Sequence, residues 1–169
     1  KVGIIGFVPP QILQWDRAHL EGSFAVRGIV EAARAWVPQM KEEGCDLILA
    51  LSHSGISDSA PDDYMENASL HLAGIDGIDA LVCGHQHLVF PSTSFSGTGI
   101  DAEAGTLMGK PAVMAGFWGS HLGILDLMLT RDGGRWVIDT SESTTRPISQ
   151  RNEDRSISAL VDAGPTSMP

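Results

Sequence analysis

Asp46-Leu47-Ile48-Leu49-Ala50-Leu51-Ser52-His53-Ser54-Gly55 and Ala80-Leu81-Val82-Cys83-Gly84-His85-Gln86-His87 decide the reading of this chain. In each stretch a short apolar run, Asp46–Leu51 or Ala80–Cys83, is followed at once by histidine. Continuous apolar runs of this length, bounded by Gly and Ser, read as buried strands. One helix-like stretch lies between them, so the order is strand, helix, strand. Such a unit is a right-handed crossover joining parallel strands, and it places both strand C-termini on one edge of the sheet. Ligands of open α/β sheets bind outside that edge. His53, His85 and His87 are therefore delivered to one place.

Working outward, Val2–Val8 is a third apolar run, closed by Pro9-Pro10, which cannot continue a central strand. A long loop with Gln14-Trp15-Asp16 follows. Phe24–Glu43 carries Val26, Ile29, Val30, Ala33, Trp36, Val37 and Met40 at helical spacing, with Pro38 expected to kink it and Gly44 placed to end it. Ser59-Ala60-Pro61-Asp62-Asp63 reads as a helix start, with a cap, a first-turn proline and acids against the dipole; that helix is expected to run to Ala73. Pro91–Gly105, rich in Ser, Thr and Gly, reads as a loop. After it the pattern turns to strands at Ala112–Ala115, Gly123–Leu129 and Trp136–Ser141, the last two joined by the hairpin turn Arg131-Asp132-Gly133-Gly134. The polar tail beyond Pro147 reads as a linker with one short helix near Ser156–Val161. The fold class is α/β, passing from parallel strands with crossover helices to antiparallel strands.

The 169 residues fit one domain by length, and 43% hydrophobic against 19% charged residues is ordinary for a globular protein. A net charge of −10 argues against a nucleic-acid polymer as partner, since that requires a basic face to displace counterions. A small phosphorylated substrate stays compatible if metal ions supply the positive charge. No apolar run approaches the roughly 20 residues a bilayer span needs. The chain begins at Lys1-Val2-Gly3, already inside a strand, which suggests a piece of a longer protein. Cys45 and Cys83 fall at opposite ends of adjacent strands, an unfavourable placement for a disulfide.

In an extended chain His85 and His87 would share a face about 6–7 Å apart. That spacing suits two ligands gripping neighbouring metals about 3.5–4 Å apart, as in two-metal hydrolytic sites. A single histidine at a strand end is most simply a hydrogen-bonded structural residue; three at adjacent strand ends point to metal ligation. His19, in a loop, and His71, on a charged helix face, are expected to be solvent-exposed. His121, in Gly116-Phe117-Trp118-Gly119-Ser120-His121-Leu122-Gly123, is a candidate substrate contact against a competing role in the turn. Trp15, Trp36, Trp118 and Trp136 read as core or staple residues, and the helix start accounts for Asp58, Asp62 and Asp63.

Ser52-His53-Ser54-Gly55, Gly84-His85-Gln86-His87 and Gly116–Gly123 together resemble the calcineurin-like metallophosphoesterases of the nucleotidase branch. Val2–Ile12, Ala35-Trp36-Val37-Pro38 and Ala104-Gly105-Thr106-Leu107 are similar to the members that open 2',3'-cyclic nucleotides and dephosphorylate the 3'-nucleotides formed. The resemblance reaches to about Ile148. It implies half of a four-layer αββα sandwich, in which His53 and His85 bind one metal and His87 a second, the ions being zinc, manganese or iron. It implies attack on phosphorus by a metal-held hydroxide, a nucleotide as the substrate, and a periplasmic or secreted setting. Asp-x-His, the Gly-Asp bridging carboxylate and Gly-Asn-His have no counterpart in the chain. Residues 1–148 are therefore expected to be the second half of the catalytic domain, and 149–169 a linker toward a nucleotide-specificity domain. On that reading no catalytic residue lies in this chain; the leaving-group histidine lies upstream. The chain alone would hold at most one ion, loosely, and would be inactive. Its uncovered sheet would seek the missing half of the domain or another copy of itself. A 5'-nucleotidase of the same superfamily, and a non-catalytic module whose three histidines hold a structural zinc, are the competing functions.

Overall fold

The structure, a computed structural model, describes residues 1–160. The elements in chain order are β1 (Val2–Phe7), α1 (Ile12–Trp15), α2 (Arg17–Leu20), α3 (Ile29–Glu42), β2 (Leu47–Ser52), α4 (Ser69–Ala73), β3 (Ala80–Cys83), β4 (Val89–Phe90), β5 (Ile100–Asp101), β6 (Thr106–Leu107), β7 (Lys110–Ala115), β8 (His121–Asp132), β9 (Arg135–Pro147), β10 (Ser149–Arg151) and β11 (Ile157–Ala159). The main sheet has the order β1-β2-β3-β7-β6-β5, with β4 pairing with β7. β1, β2, β3 and β7 are parallel; β2 and β3 were expected so, whereas Ala112–Ala115, expected to open the antiparallel part, lies in β7 beside β3 in the parallel sheet. Their register aligns Phe7 with Ser52, Ser52 with Cys83, and Cys83 with Met114. The residues just beyond that row, His53, Gly84–His87 and Gly116, thus crowd one edge.

α3 and α4 pack against each other and on one face of this sheet. Ile29, Ala33 and Val37 recur every four residues, forming the buried stripe of α3. With Leu72, Ile48, Ala50, Leu81, Phe90 and Met114 they make the core. Each such large aliphatic or aromatic side chain contributes about 1.5–3 kcal/mol by leaving water. α3 ends as predicted at Gly44, which has φ +85°; the Cys45 N–H donates to Met40 O and the Gly44 N–H to Lys41 O, a paired cap that glycine's left-handed backbone allows.

The other face is uneven. At β7 the long β8–β9 hairpin covers Val113, against which a Cβ on Gly123 would close to 2.9 Å. Over β1–β3 the same face leaves Val2, Ile4, Leu51 and Val82 exposed, Val2 and Ile4 at 60% and 62%. The hairpin turns at Gly133-Gly134, both at positive φ, the two-residue turn that matches strand twist.

Three expectations need correction. α3 starts at Ile29, not Phe24, because Gly28 is non-helical where the 62–66 segment crosses it; a Cβ there would lie 2.1 Å from Asp63 O. Pro38 lies inside the helix, as expected. The helix expected from Ser59 is confined to Ser69–Ala73. Ser57 and Asp62 turn their side-chain oxygens onto the N–H groups of Ser59 and Tyr64, a local bonding that competes with helix. The tail forms β10 and β11, an antiparallel pair, where a short helix was expected; the end of that expected helix, Val161, and residues 162–169 of the linker lie outside the described residues. Within the Pro91–Gly105 loop, Ile100–Asp101 pairs with Thr106–Leu107.

Candidate metal centre

The two histidine motifs are interlocked by buried polar bonds. The ladder runs on one residue past β2, with the His53 N–H donating to Phe7 O at 2.9 Å. The next residue, Ser54, is fully buried; its Oγ donates to Glu66 O and accepts from the Ala68 N–H, each at 2.7 Å. Ser69, buried at the start of α4, returns a bond from Oγ to Ser54 O at 2.8 Å and shares another with Ser52 Oγ at 3.0 Å. Buried hydroxyls persist only when paired, so this serine cluster fixes where the 53–56 loop sits against α4. From the other motif, Gln86 clips the same loop: its Oε1 accepts from the Ile56 N–H at 2.8 Å and its Nε2 donates to Ile56 O at 3.3 Å. Gly55 lies directly beneath that clip, and a Cβ there would stand 2.2 Å from both Gln86 Cδ and Asn67 Oδ1.

The bending at the site is done by the histidines. His85 and His87 have φ of +73° and +60°, the left-handed region that non-glycine residues rarely enter, whereas Gly55 and Gly84 do not have positive φ. The extended alternation expected for His85 and His87 is therefore replaced by a turn, with the Gln86 N–H donating to Gly84 O. Non-glycine backbone held this way costs about 1–3 kcal/mol per residue and is concentrated at functional sites.

His53 and His85 come together, their ring centres 5.4 Å apart and tilted by 59°. Two imidazoles sharing one ion at metal–nitrogen distances near 2.0–2.1 Å place their ring centres about 5 Å apart, so the pair fits one ion. His87 stacks on Phe117, centroids 4.8 Å apart and 17° from parallel. Among the described residues no three His, Cys, Asp or Glu side chains are grouped to hold an ion together, so His87 is not a third ligand of the His53–His85 pair as it stands.

Two residues join the site that sequence reasoning did not single out. Glu66 Oε1 bonds His85 Nε2, and Trp15 stacks on the His85 ring at 5.1 Å and 21°. Trp15 had been read as a core or staple residue; it is half exposed.

The remaining candidates have other surroundings. His121 opens β8, its Nδ1 2.9 Å from Ser120 Oγ, and that hydroxyl also accepts from the Phe117 N–H. His71 is half-buried, with Nε2 2.9 Å from Ser59 O, rather than solvent-exposed; His19 is exposed. Cys45 and Cys83 are buried free thiols. Burial pushes the Cys83 thiol up to about 12, which keeps it protonated and unsuited to metal binding.

The fold and this sheet edge define the class first. The crystal structure of the calcineurin-like phosphoesterase YfkN from Bacillus subtilis matches with a TM-score of 0.83 at 45% identity, over 86% of this chain and 44% of that one. The sulfate thiohydrolase SoxB of Thermus thermophilus shares the fold, with a TM-score of 0.56 at 22% identity. The chain has the fold of a calcineurin-like phosphoesterase, as the motifs imply.

In sequence it is 44% identical over 160 residues to the 2',3'-cyclic-nucleotide 2'-phosphodiesterase/3'-nucleotidase of Salmonella typhimurium, and 42% identical over 160 residues to that of Yersinia enterocolitica. It is 46% identical over 159 residues to the trifunctional nucleotide phosphoesterase protein YfkN of Bacillus subtilis. These alignments cover 94%, 94% and 90% of this chain, but 25%, 24% and 11% of the relatives. The chain thus spans about a quarter of the first two and a ninth of the third. No family model matches it.

Proposed function

We propose that this chain is the histidine-bearing part of a metal-dependent nucleotide phosphohydrolase that opens 2',3'-cyclic nucleotides and dephosphorylates 3'-nucleotides. The observation that carries the proposal is the meeting of His53 and His85 at one sheet edge, in a chain 42–44% identical to enzymes named for that activity. Calcineurin-like phosphoesterases generally bind divalent metals, and the donors here are imidazoles, which suit zinc, manganese or iron. His53 and His85 would hold one ion and His87 another. Such ions supply Lewis acidity toward phosphoryl oxygens and activate the nucleophile.

The chain's own residues do the holding and orienting. The serine cluster and the Gln86 clip set the two loops, Phe117 fixes the plane of the His87 ring, and the strained turn carries His85 beside His53 and His87 onto Phe117. The other ligands and the proton donor would come from the rest of the catalytic domain, which would pack on the exposed face of Val2, Ile4, Leu51 and Val82. By itself the chain would be inactive. The described residues include no helix long and apolar enough to cross a membrane, and a periplasmic or secreted setting is part of the proposal.

The test is hydrolysis of 2',3'-cyclic AMP, 3'-AMP, 5'-AMP and bis-p-nitrophenyl phosphate with manganese, by the full-length protein and by this chain alone. Cyclic and 3' substrates should be turned over by the former only. Preference for 5'-AMP would move the assignment to a 5'-nucleotidase, and full activity of this chain would overturn the divided centre. A closed structural zinc would need four protein ligands about one ion; His87, stacked on Phe117 and ungrouped with the other two, speaks against it.

A further inference from the structure

The carboxylate on His85 is held too firmly to be an incidental neighbour. Glu66 sits in a segment pinned at four points. Its own carbonyl takes the Ser54 hydroxyl. Tyr64 O, two residues earlier, accepts from Gln11 Nε2 at 2.6 Å. The Tyr64 N–H donates to Asp62 Oδ1 at 2.7 Å. Asp63 O rests on Gly28 so closely that only glycine fits there. The Gln11 bond matters twice, because the Gln11 carbonyl also accepts from the Trp15 N–H, at the other end of the short helix that lays Trp15 on His85. One device thus presents a carboxylate to the edge of the His85 ring and an indole to its face.

An ionised carboxylate only accepts hydrogen bonds, so in a neutral imidazole the bond to Glu66 places the proton on Nε2 and leaves the lone pair on Nδ1. Carboxylates that take the second ring N–H of a ligating histidine fix its tautomer and raise its basicity. We infer that Glu66 is a positioning residue for the metal centre, selecting Nδ1 of His85 as the donor atom, and that Trp15 holds the ring plane in which that donor points toward the ion shared with His53. The inference rests on the metal reading of His85 given above.

The experiment uses the full-length protein with Mn²⁺ alone as probe, its binding followed by loss of the free-ion paramagnetic resonance signal. The second readout is the ring nitrogen shifts of histidine-labelled protein, with His85→Gln identifying the resonance. The variants are Glu66→Ala, Glu66→Gln, Trp15→Phe and Trp15→Ala. Glu66→Ala should weaken Mn²⁺ binding by about 10–100-fold and release His85 into a mixture of tautomers. Glu66→Gln keeps an accepting oxygen, so it should retain the Nε2–H tautomer and lose less than tenfold. Trp15→Phe should bind as the parent does, and Trp15→Ala about two- to tenfold more weakly. Unchanged thermal melting of the apo variants separates these effects from misfolding. Equal Mn²⁺ affinity of Glu66→Ala and the parent would overturn the inference. So would a loss in Glu66→Gln as large as in Glu66→Ala, which would make Glu66 itself a ligand. A parent protein that takes up no Mn²⁺ at all would defeat the metal reading instead, a result distinct from either.

Discussion

Replacing Gly55 by alanine is the smallest change that tests whether the two histidine motifs are one unit. The added methyl would stand 2.2 Å from Gln86 Cδ, 2.3 Å from Gln86 Cγ and 2.2 Å from Asn67 Oδ1, all far inside van der Waals contact. Neither neighbour can yield cheaply. Gln86 is clipped to both polar groups of Ile56, and Asn67 lies between Glu66, bonded by Ser54, and buried Ala68. Overpacking of a closed site costs about 1–3 kcal/mol. Displacing Gln86 forfeits two hydrogen bonds of about 0.5–1.5 kcal/mol each. The total is about 2–6 kcal/mol, and at roughly 2–4 °C per kcal/mol for a domain of this size the melting temperature should fall by about 4–24 °C. Urea denaturation of the 169-residue chain gives the free energy directly. Gly6→Ala is the control, since nothing lies within 4 Å of its missing methyl, and it should stay within about 0.5 kcal/mol of the parent. Gln86→Ala clears one of the two obstacles, so the double variant Gly55→Ala/Gln86→Ala should be less destabilised than the two single effects added together. Strict additivity, or a Gly55→Ala chain as stable as the control, would refute the interlock.

Other substitutions probe the same frame. Ser54→Ala removes the partner of both the Ala68 N–H and Glu66 O, and should cost about 1–3 kcal/mol in urea denaturation, unlike a surface serine such as Ser59. Gly28→Ala would force the 62–66 segment away from α3; it should destabilise the fold and, in the full-length protein, weaken metal uptake as well, read by calorimetry and Mn²⁺ binding. Cys83, buried and pushed up to about 12, should resist dithiobisnitrobenzoate at pH 8 in the folded chain and react with it in urea, so rapid labelling without unfolding would contradict the burial. On the proposed reading that the rest of the domain packs on this open face, Leu51→Lys with Val82→Glu should leave the isolated chain's stability within about 0.5 kcal/mol, lower any self-association seen in sedimentation, and impair folding of the full-length protein.

The parallel pair β2 and β3 and the edge that carries His53, His85 and His87 were legible because buried strands are written as short apolar runs and the crossover does the rest; that Ala112–Ala115 joins the same parallel sheet was not, since its run is followed by a hairpin. Gly44 and Gly133-Gly134 were legible for a similar reason: both need a backbone that glycine supplies locally. Ser59–Ala73 misled because a proline and acids after a serine satisfy the rules of a helix start, while Asp62 and Ser57 were free to satisfy backbone groups in turns instead. The His-x-His spacing misled in another way. Alternation holds only in extended chain, and this pair sits in a left-handed turn, a region histidine enters more readily than most non-glycine residues but too rarely to be read from the sequence. Glu66 and Trp15 reach His85 through tertiary contacts alone, and nothing in their local sequence marks them. Gln86 was in plain view between two histidines, but its role depends on a loop 30 residues away.

The turn at His85 and His87 is also where the strongest physical statement about the site can be made. Two non-glycine residues at positive φ cost about 1–3 kcal/mol each, and a chain relieves that cost unless its surroundings forbid it. Each of the three residues of this turn has a restraint. Glu66 and Trp15 hold the His85 ring, the Ile56 backbone holds Gln86, and Phe117 holds His87. Glycine at 85 or 87 would relieve the backbone at once, yet it would remove the imidazole. The strain is therefore tied to having side chains of this kind at these positions. At His85 the bond to the Glu66 carboxylate, worth about 1.5–3 kcal/mol, is of the same size as the backbone cost; His87 has only its stack on Phe117, about 0.5–1.5 kcal/mol, to set against its own. Occupancy by a divalent ion would supply far more, which makes the strain at His87, where the other contacts are weakest, a physical ground for proposing it as a ligand. If a metal is what the turn is built for, saturating Mn²⁺ should raise the melting temperature of the full-length protein, while His87→Gly should raise that of the apoprotein and abolish most of the metal-dependent gain. An apoprotein unaffected by His87→Gly would mean that the turn stores no strain and that its geometry says nothing about ligation.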